Sequence, residues 1–306
     1  MGTPQAAVPS LEGCLADGHE LVAVYSQPDR PSGRGNKITF SPVKAAALEH
    51  GIEVLQPTKV RTPEAAETFR LHRADLAVVV GYGRILPEAF LSAYPFGAVN
   101  VHFSLLPKYR GAAPVNWAIA NGEAESGVTT MKMNIGLDTG DILLQERTQI
   151  DGEETAIDLT ARLSEMGAEL LSRTLFGLET IQPIVQDHEK ATFAPIMSRE
   201  DGSIDWNFSA TTISNRVRGF QPFPSAHTLY RGLRLNLWKA FETTFAGSTG
   251  SRPGQIVEAN GDVLTVRAGD VSFLRIEELQ PEGKRRMAVR DFINGLKPKI
   301  GEIFGV

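Results

Sequence analysis

A chain of 306 residues is long for one core and sufficient for two domains. Its 42% hydrophobic and 22% charged residues are those of an ordinary globular protein, and no apolar run nears the roughly 20 residues that span a bilayer, so no membrane-spanning helix is expected. The net charge of −5 argues against general electrostatic coating of nucleic acid and leaves room only for a local basic patch.

The chain opens "MGTPQAAVPS", with neither the basic start nor the apolar centre of a signal peptide, and its one cysteine, Cys14, has no partner within the chain. No Cys/His cluster has zinc spacing. A cytoplasmic protein without a structural metal is expected. The Gly-Thr-Pro turn at 2–4 runs straight into a helical stretch with no strand before it. A βαβ sheet normally begins with a strand, and that strand is usually central.

"LVAVYS" (21–26) reads as a strand and "SPVKAAALEHG" (41–51) as a helix ending at Gly51. "IEVLQP" (52–57), a helical stretch over 63–73 and "ADLAVVVGYG" (74–83) continue the alternation. The runs "LAVVV" and "AVNV" are nearly unbroken, as in strands buried on both faces. This pattern predicts an α/β fold with an open, doubly wound, Rossmann-like parallel sheet. Over 155–178, Leu159, Leu163, Met166, Leu170 and Leu178 recur at helical spacing, and Thr155 with Asp158 reads as a capping box.

From about 183 the periodicity stops, and Pro, Gly and charge predict a linker over 183–199. Beyond a short helix over 209–218, "RLNLWKAF" (234–241), "QIVEA" (255–259), "VLTVRA" (263–268) and "VSFLRIEEL" (271–279) are short strands parted by Gly, Asn and Asp turns. They predict a smaller C-terminal β-barrel, OB-like in kind. The expected domains are thus 1–182 and 200–306.

The stretch "AVNVHFSLLPKYRGAAPVNWAI" (98–119) ends a strand in Asn100 and His102. Side chains alternate along a strand, so these two project one way, while Val99 and Val101 project the other. At the carboxyl end of a parallel strand that direction faces the crevice where ligands of such sheets bind. An amide can donate to a developing oxyanion, and an imidazole can hold or pass a proton near neutrality. Asp138, in the Gly-flanked loop "MNIGLDTGDI" (133–142), supplies a carboxylate able to orient the imidazole. Each feature alone has a structural reading: Asn-x-His as a satisfied polar pair, Asp-Thr-Gly as a turn.

Together, "NVHFSLLPKYRGAAP" and "GVTTMKMNIGLDTGDIL" resemble the folate-dependent formyltransferases, which move a formyl group from 10-formyltetrahydrofolate to an amine. "QPDRPSGRGNK" with "SPVK" (27–44), the "GTP" opening, "VVVGYGRILP" (78–87) and the "IDW" after 203 resemble the branch that acts on methionyl-tRNA. The resemblance implies catalytic roles for Asn100, His102 and Asp138, and a tetrahydrofolate-contacting turn of Ser104, Leu105, Leu106 and Pro107. It implies a pterin pocket using backbone around Tyr82 and around Leu137 and Asp141. It implies tRNA contacts from Arg34 and Lys37 in the 27–37 loop. The basic run with Lys284, Arg285 and Arg286 is either a further tRNA contact or a solvated face.

The expected co-substrate is therefore 10-formyltetrahydrofolate, with no metal; the expected partner is methionyl initiator tRNA, met by a monomer. A sugar-nucleotide amine formyltransferase is the enzymatic rival, and a non-catalytic tRNA- or folate-binding protein the other. Two departures stand out. Phe103 occupies a position where the family often carries Gly, with altered packing expected. The family's leading apolar strand is absent, so Met1 is expected to be an internal or misassigned start.

Overall fold

The computed structural model describes residues 1–32, 37–247 and 250–305. In chain order its elements are α1 (Val8–Ala16), β1 (Val24–Tyr25), β2 (Arg30–Ser32), β3 (Lys37–Thr39), α2 (Pro42–Glu49), β4 (Val54–Leu55), α3 (Pro63–Leu71), β5 (Ala77–Val79), α4 (Glu88–Leu91), β6 (Ala98–His102), β7 (Arg110–Gly111) and α5 (Pro114–Ala120). There follow β8 (Glu125–Lys132), β9 (Ile142–Gln149), α6 (Ala156–Phe176) and β10 (Phe193–Ala194). The C-terminal part holds α7 (Ala210–Gly219), β11 (His227–Tyr230), β12 (Leu233–Thr243), β13 (Ile256–Asn260), β14 (Val263–Arg267), β15 (Phe273–Pro281), β16 (Met287–Ala288) and α8 (Val289–Leu296). Two compact units result: Met1–Pro114 with Glu125–Gln149 and Thr160–Pro195, and Val115–Ala124 with Ile150–Leu159 and Ile196–Val306.

The sheet of the first unit is mixed, not wholly parallel. β1 pairs parallel with β4 and β5 parallel with β6, whereas β8 runs antiparallel to both β6 and β9. β8 and β9 are joined by the short loop 133–141, and a parallel pair would need a crossover of a dozen residues or more. The two parallel pairs meet through Met1 and Gly2. Gly2 N–H donates to Tyr25 O at 2.9 Å, Val80 N–H to Met1 O at 2.9 Å, and the Met1 ammonium to Val78 O at 2.7 Å. These two residues thus stand between β1 and the end of β5, with Gly2 bridged in parallel to Val80. Beside them, between residues 22–25 and 75–78, is a cavity of about 450 Å³ lined also by Leu11, Cys14 and Leu175.

Local chemistry explains the helix starts. Ser41 accepts from Lys44 N–H and Thr62 from Ala65 N–H, each followed by Pro at the first helical position. The expected capping box of α6 forms, with Thr155 Oγ1 donating to Asp158 at 2.6 Å and Asp158 N–H returning to Thr155 at 3.4 Å. Phe69 and Phe90 stack at 4.2 Å with Tyr25 edge-on, in an aromatic core beneath β5 that includes Tyr82 and Tyr94.

Residues 183–199, expected as linker, carry more structure than a tether. Ile184 and Ile142 exchange two backbone hydrogen bonds of 2.8 Å, and β10 pairs parallel with β7. Two such short pairings leave no periodic signal in sequence.

In the second unit the strand order is β11-β12-β15-β14-β13, with β16 also on β15. The chain's last residues stitch its two edges. Ile256 N–H donates to Glu302 O and Phe304 N–H to Gly254 O beside β13, while Gly305 N–H donates to Leu229 O of β11. The strand pairings among the described residues make an antiparallel sheet without direct closure of β11 on β13; the seam joins those edges only through residues 302–305. Trp206, of the "IDW" motif, and Tyr230 pack against Phe304 behind it, and Trp206 Nε1 donates to Thr228.

Glu302 locks the seam, accepting from Tyr230 Oη at 2.7 Å, Lys299 N–H at 3.0 Å and Arg231 Nη2 at 2.8 Å. Partial burial would raise its carboxyl, but those donors outweigh it and bring the pKa from 4.5 to about 2. A depressed carboxyl stabilises the fold above its unfolded value and loses that contribution as pH falls from about 4.5 toward 2. With the side chain 30% exposed, screening limits the effect to about 1 kcal/mol. Glu302→Gln is expected to lower the urea midpoint at pH 7 and to lower it clearly less near pH 2, where the folded carboxyl is about half protonated, measured by tryptophan fluorescence. Equal loss at both pH values would assign the effect to packing.

Candidate functional site

The site grows from the end of β6. Asn100 pairs with Val79 of β5 and Met131 of β8, and His102 with Thr129 of β8. Both are buried, at 8% and 6% exposure, in a sheet with neighbours on both sides. On the opposite pleat, Val101 and Phe103 lie against α6 at Gly167, where an added Cβ would come within 3.0 Å of Val101 and 3.2 Å of Phe103. The Phe103 departure thus falls on the helix side of the sheet, away from His102.

The next turn is held from β8 and β9. Thr129 Oγ1 donates to Ser104 O at 2.7 Å and accepts from Leu106 N–H at 3.2 Å. Gln145 Nε2 donates to Leu106 O at 2.8 Å, and Ser104 Oγ to Lys108 O at 2.7 Å. Ser104, Leu105, Leu106 and Pro107 are therefore a fixed turn with buried, paired backbone. It returns the chain so that Tyr109 O meets His102 Nε2 at 2.9 Å.

That contact sets the imidazole. A carbonyl only accepts, so Nε2 carries the proton in the neutral ring and Nδ1 holds the lone pair. Nδ1 faces Asp138 Oδ2 at 3.8 Å, too far for a hydrogen bond and within the distance of an ion pair. Asp138 Oδ2 in turn accepts from Gly111 N–H at 2.7 Å. Residues 109–111 thus orient both members of the pair, one by a carbonyl and the other by an N–H.

Asp138 sits in the left-handed region at φ 50°, on the loop between β8 and β9. Leu137 and Ile135 on the same loop are 53% and 71% exposed, unusual for large apolar side chains. The Asp141 carbonyl accepts from Lys132 N–H at 2.9 Å, closing the loop at its base. The Tyr82 ring is buried in the aromatic core, where burial raises its pKa, and its carbonyl accepts from Gln27 Nε2 at 2.9 Å.

The sequence-expected residues separate as follows. The fold gathers Asn100, His102, Asp138 and the 104–107 turn. Arg34 lies outside the described residues, and Lys37 pairs through its backbone with Ser32. Lys284, Arg285 and Arg286 belong to the second unit, in and after the turn joining β15 to β16. Arg286 is engaged there with Glu278 and the Trp238 ring, and Lys284 and Arg285 are exposed.

Sequence reasoning passed over a polar cluster at the foot of the 27–37 loop. Lys44 Nζ donates to Asp29 at 2.5 Å and to Gln56 at 2.8 Å, while Gln56 Nε2 donates to Gln27 O and Asp29, each at 2.8 Å. The Lys44 hydrogen bond, then that of Gln56, holds the Asp29 carboxyl below its usual range. The "SPVK" motif carried the signal for Lys44.

Comparison with known proteins follows the same two parts. A family model described as formyl transferase matches residues 1–175, and one described as formyl transferase, C-terminal domain, matches 196–297. The methionyl-tRNA formyltransferase of Solibacter usitatus is 48% identical over 99% of this chain and 97% of its own length. The chain belongs to the methionyl-tRNA formyltransferase family. Among solved structures, WlaRD, a sugar 3N-formyl transferase, aligns with a TM-score of 0.66 over 93% of this chain and 97% of that one. A HypX variant from Aquifex aeolicus aligns with a TM-score of 0.58 over 83% of this chain, which spans 45% of that protein. At 20% and 19% identity these two report the shared fold.

Proposed function

We infer that this protein transfers the formyl group of 10-formyltetrahydrofolate to the α-amine of methionyl initiator tRNA, for translation initiation. The observation that carries the reading is the His102–Asp138 pair at the end of β6, in a chain 48% identical along its length to a methionyl-tRNA formyltransferase. In this reading the donor binds against the fixed turn Ser104, Leu105, Leu106 and Pro107. Its pterin lies along backbone near Tyr82, Leu137 and Asp141, where exposed Leu137 offers apolar cover. WlaRD, of the same fold, was crystallised with 5-N-formyl-THF, which supports a folate donor.

The chemistry assigned to the chain's own groups is a sequence of proton movements. His102 Nδ1 takes the proton released as the amine nitrogen bonds to the formyl carbon. Asn100 and the imidazolium then face the negative oxygen, and Asp138 offsets the ring's charge. As the bond from the formyl carbon to the folate nitrogen breaks, His102 returns its proton to that nitrogen. Atoms and charge balance with no metal step.

For the tRNA we assign Arg34 and Lys37 of the 27–37 loop, anchored at its foot by Lys44, Asp29 and Gln56. Lys284 and Arg285 are the phosphate contacts of the second unit; Arg286, held by Glu278 and Trp238, steadies that turn. Against a net charge of −5 such contacts give local binding and a shallow salt dependence. Among the described residues no helix is long and apolar enough to cross a membrane. A cytoplasmic monomer fits the activity.

The test is formyl transfer from 10-formyltetrahydrofolate to methionyl initiator tRNA, run beside a nucleotide-linked amino sugar. Transfer to the tRNA alone is expected. Transfer to the sugar alone, or none to either, would overturn the reading.

A further inference from the structure

Asp138 must stand at a defined distance from His102, yet it lies on a loop in a backbone conformation that disfavours a side chain. Gly111 N–H holds its carboxylate. Its backbone is held by a residue from far along the chain. Gln186 Nε2 donates to Asp138 O at 2.9 Å and to Gly140 O at 2.6 Å. The other end of the same amide, Oε1, accepts from Arg110 Nε at 3.1 Å and Nη2 at 2.7 Å.

Both residues are buried, Gln186 at 3% exposure and Arg110 at 4%. Arg110 stands between Tyr109, whose carbonyl sets the His102 ring, and Gly111, whose N–H sets Asp138. Gln186 thus ties the Asp138 loop to the strand that orients both catalytic groups. The polarity fits only an amide: two carbonyls need a donor on one side, and a guanidinium needs an acceptor on the other. The backbone exchange between Ile184 and Ile142 brings Gln186 into place two residues later.

We propose that Gln186 is a positioning residue, whose amide fixes the Asp138 carboxylate relative to His102 Nδ1 by clamping the Asp138 and Gly140 carbonyls to Arg110. A shift of about 1 Å in such a pair costs on the order of a hundredfold in rate. The kinetic part rests on the formyl-transfer reading; the clamp itself does not.

The experiment uses Gln186→Glu and Gln186→Ala, each alone and combined with Asp138→Asn. Glu keeps the acceptor for Arg110 and presents negative oxygen to both carbonyls, so it separates the two ends of the clamp in a variant that still fills the site. The expected result for both single variants is a fall in kcat of about 30-fold, with the donor KM changed less than about threefold. In the Asp138→Asn background, Gln186→Glu is expected to change kcat by less than about twofold, because the effect passes through Asp138. Hydrogen exchange of the peptide 133–141 is expected to quicken about tenfold in Gln186→Glu, a readout independent of any substrate.

Gln186→Glu with full kcat and unchanged exchange would overturn the proposal, as would losses that multiply with Asp138→Asn. An unmodified protein that transfers no formyl group while Gln186→Glu still loosens 133–141 would sink the functional reading and leave the clamp standing.

Discussion

Replacing His102 by alanine is expected to lower kcat for formyl transfer about a thousandfold, with the protein still folded by circular dichroism. The size follows from the two tasks that the proposed reaction gives the ring. With Nε2 occupied by Tyr109 O at 2.9 Å, Nδ1 is the nitrogen free to take the amine's proton, and general-base loss costs on the order of a hundredfold or more. The protonated ring then faces the developing oxygen, and losing such a charge costs about tenfold to a hundredfold again. Asn100→Ala removes only a neutral donor, and about a hundredfold is expected. Asp138→Asn keeps the shape and the Gly111 contact but no longer offsets the imidazolium, and about a hundredfold is again expected. Single-turnover rates with saturating donor decide this. A His102→Ala rate within tenfold of the unmodified protein would show that another group moves the proton.

Much of this site was legible because it depends on strand alternation. Asn100 and His102 share a pleat in any β reading of "AVNVH", and the Gly-flanked loop with Asp138 announces a tight connection. β9 was not readable in the same way: burial alternates along its last six residues, but "LQERTQ" is polar at five of the six and carries no period of two in sequence. The antiparallel direction of β8 and β9 follows from the nine-residue loop between them, once both are recognised as strands. Other features have no local signature. Gln186 reaches Asp138 across 48 positions and Arg110 across 76, from a stretch with no periodicity, so nothing near it marks it as part of the site. The same holds for the seam closed by residues 302–305, whose partners at Leu229 and Gly254 are distant in sequence. Spacing rules see one element at a time; these residues act by joining two.

The sharpest contrast in the Asp138 loop is between its glycines. Gly140→Ala is expected to lower kcat about a hundredfold or more and to cost about 3 kcal/mol, while Gly136→Ala is expected to keep activity within about fivefold. A Cβ at Gly140 would stand 1.7 Å from Lys132 O, 2.9 Å from Lys132 C and 3.4 Å from Met133 Cα, all backbone atoms. That backbone cannot yield cheaply: Lys132 N–H is bonded to Asp141 O, and the Gly140 carbonyl is itself held by Gln186. Relief must come from opening the loop base, which carries Asp138 away from His102. A Cβ at Gly136 meets Thr139 Oγ1 at 2.0 Å, a side chain that can rotate away. The loss there is one hydrogen bond, from Thr139 Oγ1 to Asn134 at 2.7 Å, worth about 1 kcal/mol at the exposed tip of the loop. Urea unfolding and kcat measured on both variants test the difference. Equal loss from the two substitutions would mean that the loop tip, and not its clamped base, sets the position of Asp138. A harmless Gly140→Ala would show that the base moves freely, and the distance from Asp138 to His102 would then have to be fixed by Gly111 alone.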